Sequence, residues 1–308
     1  MHMKRIFTLL ATALMAVLPL SATQADSQSD LAVNETKTFH LGGFDALSIS
    51  WLYQVELTQA SEHSVQVEAP DFVMPYLDVT VSDGTLRLGL KEMPKSLRRR
   101  VENGHVKVAA TVTMPELSAV RMSGASQLEI RGSFPSRQSF ELGLSGATKV
   151  EGLSIEASHI RIGTSGVAKF SLKGNYDRMD VHMSGSSAGT VTASAKEVSL
   201  GLSGSSNYFN EGTLGRVDIR ASGVAHVDLE GAARELDIEG SGSINVNSAG
   251  APSRTANVRL SGACHARIQV SEELGASLSG ASSLNYRPGP DLRITYRSLS
   301  GSASMNAY

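Results

Sequence analysis

The chain has almost no cysteine: its 308 residues contain one, Cys264. One thiol cannot form an intramolecular disulfide, so packing must supply the stability even in an oxidising compartment. Aromatic residues are also scarce, at 5%, and neither sign of charge dominates, since the formal net charge is −2. The near-neutral balance gives no global sign of a nucleic-acid partner or of an anionic membrane. Apolar residues reach 41% and glycines number 29, which favours a regular β architecture over a helical bundle.

Long apolar runs are also missing, apart from one near the N-terminus. Residues 6–18 are apolar, follow Lys4 and Arg5, and lead into small residues that end at Ala25. The pattern predicts a signal peptide over residues 1–25, with cleavage after Ala22 as an alternative. The run is shorter than the ~20 residues that a membrane-spanning helix needs. We therefore expect a periplasmic or secreted protein without a transmembrane segment, and without a lipid-modified cysteine.

The rest of the sequence is dominated by one repeat, a Ser-Gly pair preceded by an apolar residue. The pair occurs ten times, at spacings of 18 to 22 residues. The ten glycines, which we call the corner glycines, are Gly124, Gly146, Gly166, Gly185, Gly204, Gly223, Gly242, Gly262, Gly280 and Gly301. A fixed period near 20 residues is typical of a solenoid.

Side chains alternate on both sides of each corner glycine. Apolar residues stand two and four positions before it, and small or apolar residues stand two and four positions after it. This period of two predicts two short strands per repeat, joined at the Ser-Gly corner. We expect the glycine to supply backbone freedom at the bend, and the serine to hydrogen-bond locally or along a ladder of its own copies. Cys264 falls in the inward column, where a buried, inert thiol is expected.

A repeat of this size cannot bury its own apolar face, so the repeats must stack. The prediction is an all-β fold, a single-stranded right-handed parallel β-helix, or β-solenoid, of about ten Ser-Gly repeats. Central strands of such a stack exclude proline, and none occurs between Pro135 and Pro252. Stacked repeats occupy residues 114–308 in this interpretation.

The section before the repeats contains longer strands and a turn signal at Asp83 and Gly84. We expect residues 38–113 to begin the solenoid and to cap its N-terminal end. Residues 26–37 are predicted to be a flexible leader, and residues 91–103 a charged loop.

The sequence resembles a known bacterial family, the putative auto-transporter adhesin, head GIN domain. The resemblance is carried by DGTL at residues 83–86 together with the Ser-Gly repeats, and it covers residues 39–308. Membership would imply an exported right-handed β-helix similar to the pectin-lyase-like solenoids. It would also imply no established catalytic residues and a role in adhesion or surface binding.

Motifs that suggest catalysis have simpler structural interpretations here. GSSAG at residues 185–189 matches a nucleophile elbow, but Ser187 belongs to the inward column of one repeat and no helix follows. His226 and His265 share a column two repeats apart, too far to bind one metal ion. Asp218 and Asp237 would suit Ca²⁺, but Arg220 neutralises them more simply. We therefore expect no catalytic residue, metal or cofactor.

The outward column after the corner is the candidate ligand-binding face. It is polar and mostly neutral, as expected for hydrogen bonding to a glycan or another cell-surface component. The candidate residues are Lys149, Lys169, Asn207, Phe209, His226, Asn245 and His265. An ordinary solvated face is the alternative for this column, and Phe209 could instead turn inward through a register shift.

A second candidate is the basic group Arg98, Arg99 and Arg100, which would suit an anionic surface; a solvated loop is the alternative. The leading functional hypothesis is an exported, non-catalytic protein for adhesion or glycan binding. The alternatives are a carbohydrate-active enzyme, either a lyase or a hydrolase, and an envelope protein that self-associates through an open C-terminal edge.

Overall fold

The computed structural model describes residues 33–103 and 106–308. The predicted signal peptide and most of the predicted leader lie outside these residues. The described chain is a β-solenoid of stacked parallel coils, so the predicted fold class is confirmed.

The elements, in chain order, are β1 (Asn34–Phe39), β2 (Ala46–Ile49), β3 (Tyr53–Gln59), β4 (Ser64–Pro70), the 3₁₀ turn Met74–Tyr76, β5 (Leu77–Ser82), β6 (Thr85–Leu90), α1 (Lys95–Asn103), β7 (Val108–Met114), β8 (Ala119–Met122), β9 (Gln127–Arg131), β10 (Phe134–Leu144), β11 (Ala147–Thr164), β12 (Val167–Met183), β13 (Ser186–Leu202), β14 (Ser205–Gly262), β15 (His265–Leu278), β16 (Ser283–Pro288), β17 (Arg293–Leu299) and β18 (Ser304–Ala307). The longest of these strands run around bends, and β14 spans several coils.

Each coil contributes to three faces. The pre-corner face contains β2, β8 and the residues just before each corner glycine, and the post-corner face contains β3, β9 and the residues just after it. The return face joins one coil to the next. Neighbouring coils pair in parallel register, as in Leu142 with Ile162 and Lys149 with Lys169. The inward residues predicted from the alternation form one buried core that runs along the stack.

The corner glycines all have left-handed backbone conformations, with φ between 69° and 100°. They stack directly on one another, and a Cβ added at Gly204 would come within 2.6 Å of the Gly185 carbonyl oxygen. The residue that follows each corner donates its N–H to the corner carbonyl below, as Ser205 does to Gly185 at 2.7 Å. The conformation and the close approach together explain why glycine recurs at this position.

The corner serine bonds between coils. The Ser184 hydroxyl donates to the Thr164 carbonyl oxygen at 2.9 Å, and Ser145 donates to Met122 at 3.2 Å. Each acceptor lies one coil earlier, two residues before its corner glycine. At these corners the prediction of a local bond or a serine ladder was therefore wrong, because each hydroxyl bonds a backbone carbonyl of the neighbouring coil.

The N-terminal section extends two faces of the stack. The β5–β6 hairpin pairs with β2, and its turn has φ values of 49° at Asp83 and 71° at Gly84. On the post-corner side β7 pairs with β3, and β4 pairs antiparallel with β7. Residues 34–37, predicted as the end of a flexible leader, instead belong to β1, which pairs antiparallel with β4.

The charged segment after β6 is not wholly a loop, as was predicted, because residues 95–103 form α1. Val101 is buried beneath the helix, and the guanidinium of Arg98 lies 5.1 Å from the centre of the Trp51 ring. Leu97, one turn earlier, is partly buried against the core. Only two apolar residues stand in a segment of nine, so its charge outweighed their i, i+4 spacing in the prediction of a loop.

Candidate functional site

The inward hydroxyls of the repeat are sealed within the core. Ser187 is 1% exposed, and its hydroxyl donates to the Ser184 carbonyl oxygen at 2.7 Å. Ser206 and Ser282 make the equivalent bond at 2.8 Å, and the Cys264 thiol makes it at 3.0 Å. These groups are held by their own turns and face away from solvent, so GSSAG at residues 185–189 is a structural corner.

The predicted ligand-binding residues lie together on the post-corner face. Six of them occupy the column three residues after the corner glycines, and Phe209 lies in the next outward column, paired with Thr190. Tyr208 and Asn210 on either side of Phe209 are buried. Phe209 therefore points outward, and the alternative of a local register shift is excluded.

This column, which we call the polar ladder, contains both paired and open side chains, and Ala188 stands between Lys169 and Asn207. Lys149 pairs with Glu151 at 2.8 Å, His226 with Asp228 at 2.7 Å, and the His265 Nδ1 lies 2.6 Å from the Ser283 hydroxyl. The side chains of Lys169, Asn207 and Asn245 are exposed, and no hydrogen bond or ion pair within the described chain occupies them. Open polar side chains thus recur along the ladder.

The pre-corner face carries a groove that the sequence did not lead us to expect. Its volume is about 770 Å³, and it runs from Arg121 to Arg220. The column three residues before the corner glycines forms its floor, and in that column Gly143, Gly163 and Gly201 interrupt the row of long side chains. A Cβ at Gly163 would meet nothing within 4 Å, so the groove is open above it. The only sequence signal for the groove is the absence of a side chain at three outward positions of one column.

Serine hydroxyls line one side of the groove. Ser145, Ser184 and Ser203 direct their protons to carbonyl oxygens of the preceding coil at 3.2, 2.9 and 3.4 Å. Because each hydroxyl proton is already donated to a carbonyl oxygen, the hydroxyl oxygens can only accept hydrogen bonds from a ligand. They repeat at the coil spacing of about 4.8 Å.

Charged groups mark the rest of the groove. Arg121 pairs with Glu141 at 2.7 Å, and Arg220 pairs with Asp218 at 2.9 Å. His182 makes no hydrogen bond or ion pair with any described residue, and its ring leans over Gly201, where an added Cβ would lie 2.6 Å from Nδ1. The centre of the groove therefore has an unoccupied donor.

A compact ionic cluster lies beside the groove at Asp180. Arg178 and His159 bond its carboxylate at 3.0 and 2.8 Å, and the side chain is 17% exposed. Partial burial by itself would raise the pKa of Asp180, but the hydrogen bonds from Arg178 and His159 outweigh burial, so the pKa lies below its ordinary value. The carboxylate stays ionised and structural at neutral pH.

The two aspartates considered for Ca²⁺ are paired with arginines. Asp218 bonds Arg220, and Asp237 lies 3.5 Å from Arg259. Within residues 33–103 and 106–308, no cluster of three or more His, Cys, Asp or Glu side chains could hold a metal ion.

The predicted anionic-surface residues are part of α1. Arg98 pairs with Glu102 at 2.8 Å, and Arg100 lies 4.3 Å from the Phe72 ring centre. Arg98, Arg99 and Arg100 are all exposed. Contact with an anionic surface stays a prediction for this helix. In the part of the chain that the structure covers, neither length nor hydropathy allows any helix to cross a membrane.

The comparisons with known proteins place this geometry in a family. The family profile of the putative auto-transporter adhesin, head GIN domain, matches residues 43–208 and 189–290. No curated protein sequence matches the chain.

Three solved structures are similar to the solenoid. A putative adhesin from Parabacteroides merdae is 15% identical, over 89% of this chain and 96% of its own, with a TM-score of 0.50. A putative adhesin from Parabacteroides distasonis is 14% identical, over 90% and 98%, with a TM-score of 0.48. A putative lipid binding protein from the same species is 18% identical, over 89% and 96%, with a TM-score of 0.43. The fold comparison rests on the first of these.

Proposed function

Since the chain belongs to the family of the putative auto-transporter adhesin, head GIN domain, we propose that it is an exported, non-catalytic binding protein of the cell surface or envelope. The family name supports a place at the surface or outside the cell. In this proposal the signal peptide over residues 1–25 directs export.

The polar ladder is the observation that carries the binding role. It offers one outward side chain per coil on a flat parallel sheet, and Asn207 and Asn245 present open amides. An amide both donates and accepts hydrogen bonds, which suits the hydroxyls of a glycan. Phe209 lies beside Asn207 in the neighbouring column, where it can stack against a sugar ring.

A ligand with regular repeats gains most from such a surface. Each coil adds a contact at about 4.8 Å spacing, so weak individual hydrogen bonds accumulate along an extended polymer. We therefore expect a cell-surface polysaccharide, rather than a small molecule, to be the natural ligand of this face.

A glycan array tests the proposal directly. The purified chain should bind a subset of polysaccharides, and Asn207→Ala with Asn245→Ala should lower that affinity about tenfold, because each amide bond contributes roughly 0.5–1.5 kcal/mol. The matched control is Lys173→Ala with Thr192→Ala, two exposed residues of the return face. Equal binding by both double variants would contradict the assignment of the ladder.

The enzyme alternative predicts a different result. The array polysaccharides should remain intact after long incubation with the chain if its role is binding alone. Turnover that disappears on substitution of one surface carboxylate would replace the proposal with a carbohydrate-active enzyme on the same fold.

A further inference from the structure

The groove on the pre-corner face has the features of a second binding site, independent of the polar ladder. Its centre is Gly163, where the sheet surface is bare and open. His182, the register partner of Gly163, lines the groove. Arg161 lies two residues before Gly163 on the same strand and face, just outside the lining. Neither Arg161 nor His182 makes a hydrogen bond or ion pair with another described residue.

Open basic groups are unusual on this face. Most of its other long side chains form ion pairs: Arg121 with Glu141, Arg220 with Asp218 and Arg259 with Glu239. Two carboxylates are register partners of Arg161, Glu141 on one side and Asp180 on the other. Glu141 is paired with Arg121, and Asp180 is paired with Arg178 and His159. The carboxylates nearest in register are thus engaged by other cations, and a carboxylate from outside would supply the missing partner of Arg161 and His182.

The shape of the groove excludes several ligand classes. An extended peptide cannot add as a strand, because β10 to β13 each pair on both sides through this region. Bases of nucleic acid would require aromatic platforms, and none lines the groove. A lipid chain would require a trough of exposed apolar side chains, whereas the apolar residues at the groove, such as Met122, Leu144 and Leu202, are buried.

We propose that the groove binds a linear acidic glycan, with one sugar carboxylate seated over Gly163 between Arg161 and His182. The sugars on either side lie along the floor, where their hydroxyls donate to Ser145, Ser184 and Ser203 and their C–H faces cover bare backbone. Five coils separate Arg121 from Arg220, so the groove is about 24 Å long and accepts several sugars.

Gly163 provides a clean steric test. Its φ is outside the left-handed region and its Cβ direction is empty, so Gly163→Gln should fill the groove without disturbing the fold. The matched control is Ser298→Gln, an exposed position of the same column seven coils away. Both variants should melt at the wild-type temperature.

The probes are a homogeneous oligouronate of at least six sugars and its methyl ester, titrated by calorimetry. The acid should bind at least tenfold more tightly than the ester. Gly163→Gln should abolish measurable binding, and Arg161→Gln and His182→Gln should each weaken it roughly tenfold. His182→Lys should keep affinity for the acid, because it keeps a cationic donor.

Several results would overturn this site. They are equal affinity for acid and ester, retained binding in Gly163→Gln, and no binding of the oligouronate by the wild type. The Asn207→Ala, Asn245→Ala variant should bind the oligouronate normally. The two sites are therefore tested separately: a failed prediction for the groove does not contradict the polar ladder, and a failed prediction for the ladder does not contradict the groove.

Discussion

Gly124 packs directly on Trp51, because a Cβ added to the glycine would lie 2.5 Å from the tryptophan carbonyl oxygen. Both residues have positive φ, 76° at Gly124 and 70° at Trp51. Trp51 follows Ser50 and Ile49, and Ala125 donates its N–H to the Trp51 carbonyl at 2.7 Å. Residues 49–51 are therefore an eleventh copy of the corner, with tryptophan in place of glycine. The substitution is possible because β6 runs straight past this level and no corner lies beneath Trp51.

Valine at a corner should destabilise the rod. Gly204→Val places a β-branched residue at φ 71° and its Cβ 2.6 Å from the Gly185 carbonyl oxygen, so we expect a loss of at least about 2 kcal/mol. Thermal melting measures the effect. The control is Gly163→Val, at an open position without positive φ, which should leave the melting temperature unchanged or slightly raised. An equal fall in melting temperature in the two variants would refute the role of the corner.

Substitution of two buried threonines should raise stability, whereas substitution of a corner glycine lowers it. The Thr148 and Thr164 hydroxyls lie in the core and find no hydrogen-bond partner among the described residues. Thr148→Val keeps the shape and removes an unsatisfied group, so stability should rise by about 1 kcal/mol. Ser187→Ala, which deletes the 2.7 Å bond to Ser184, should lower it by a similar amount. Chemical denaturation measures both, and a destabilised Thr148→Val would show that its hydroxyl is satisfied.

The Asp180 cluster should make stability depend on pH. Because the pKa of Asp180 is lowered in the folded state, its stabilisation is present above the ordinary aspartate pKa of about 3.9 and is lost as pH falls through the folded value. Asp180→Asn should therefore melt lower than wild type at pH 7, and the gap should narrow below about pH 4. Asp291→Asn, at an exposed aspartate, is the control. A gap that does not change with pH would contradict this account.

The C-terminal coil should mediate weak self-association. Among the described strands, β17 pairs with β15 and β18 pairs with β16, and neither has a second strand partner. Ile294, Tyr296 and Tyr308 are 47%, 40% and 50% exposed. We expect sedimentation equilibrium to show a concentration-dependent rise in mass. Ile294→Lys should suppress it, because an edge lysine opposes strand pairing, whereas Thr190→Lys on the post-corner face should not. A wild-type chain that stays monomeric at high concentration would exclude this contact.

The repeat could be predicted from sequence because its physical causes are local. A corner needs glycine, a buried column needs small or apolar residues, and both recur at a visible period, as at Gly185 and Ser187. The same reasoning placed the polar ladder correctly on one face, since outward alternation follows directly from strand geometry.

Other features depend on what lies beside a residue and left little sequence signal. Trp51 adopts a corner because of its place at the base of the stack, and nothing in its residue type suggests φ 70°. Helix α1 packs only Leu97 and Val101 against the core, and two apolar residues in a highly charged segment are a short signal for a helix. The groove arises where Gly143, Gly163 and Gly201 fall in one outward column of nearby coils. The three glycines are at least 20 residues apart in sequence, so no local pattern indicates that they lie together.

The bonds between corners have a consequence for how this surface can change. Each coil is positioned by peptide groups, as Ser205 is by the Gly185 carbonyl, and the outward side chains take no part in setting the distance between coils. The backbone therefore fixes the spacing at which each outward column repeats. Outward residues can therefore be exchanged to recognise a different polymer while the pitch at which they meet it stays the same.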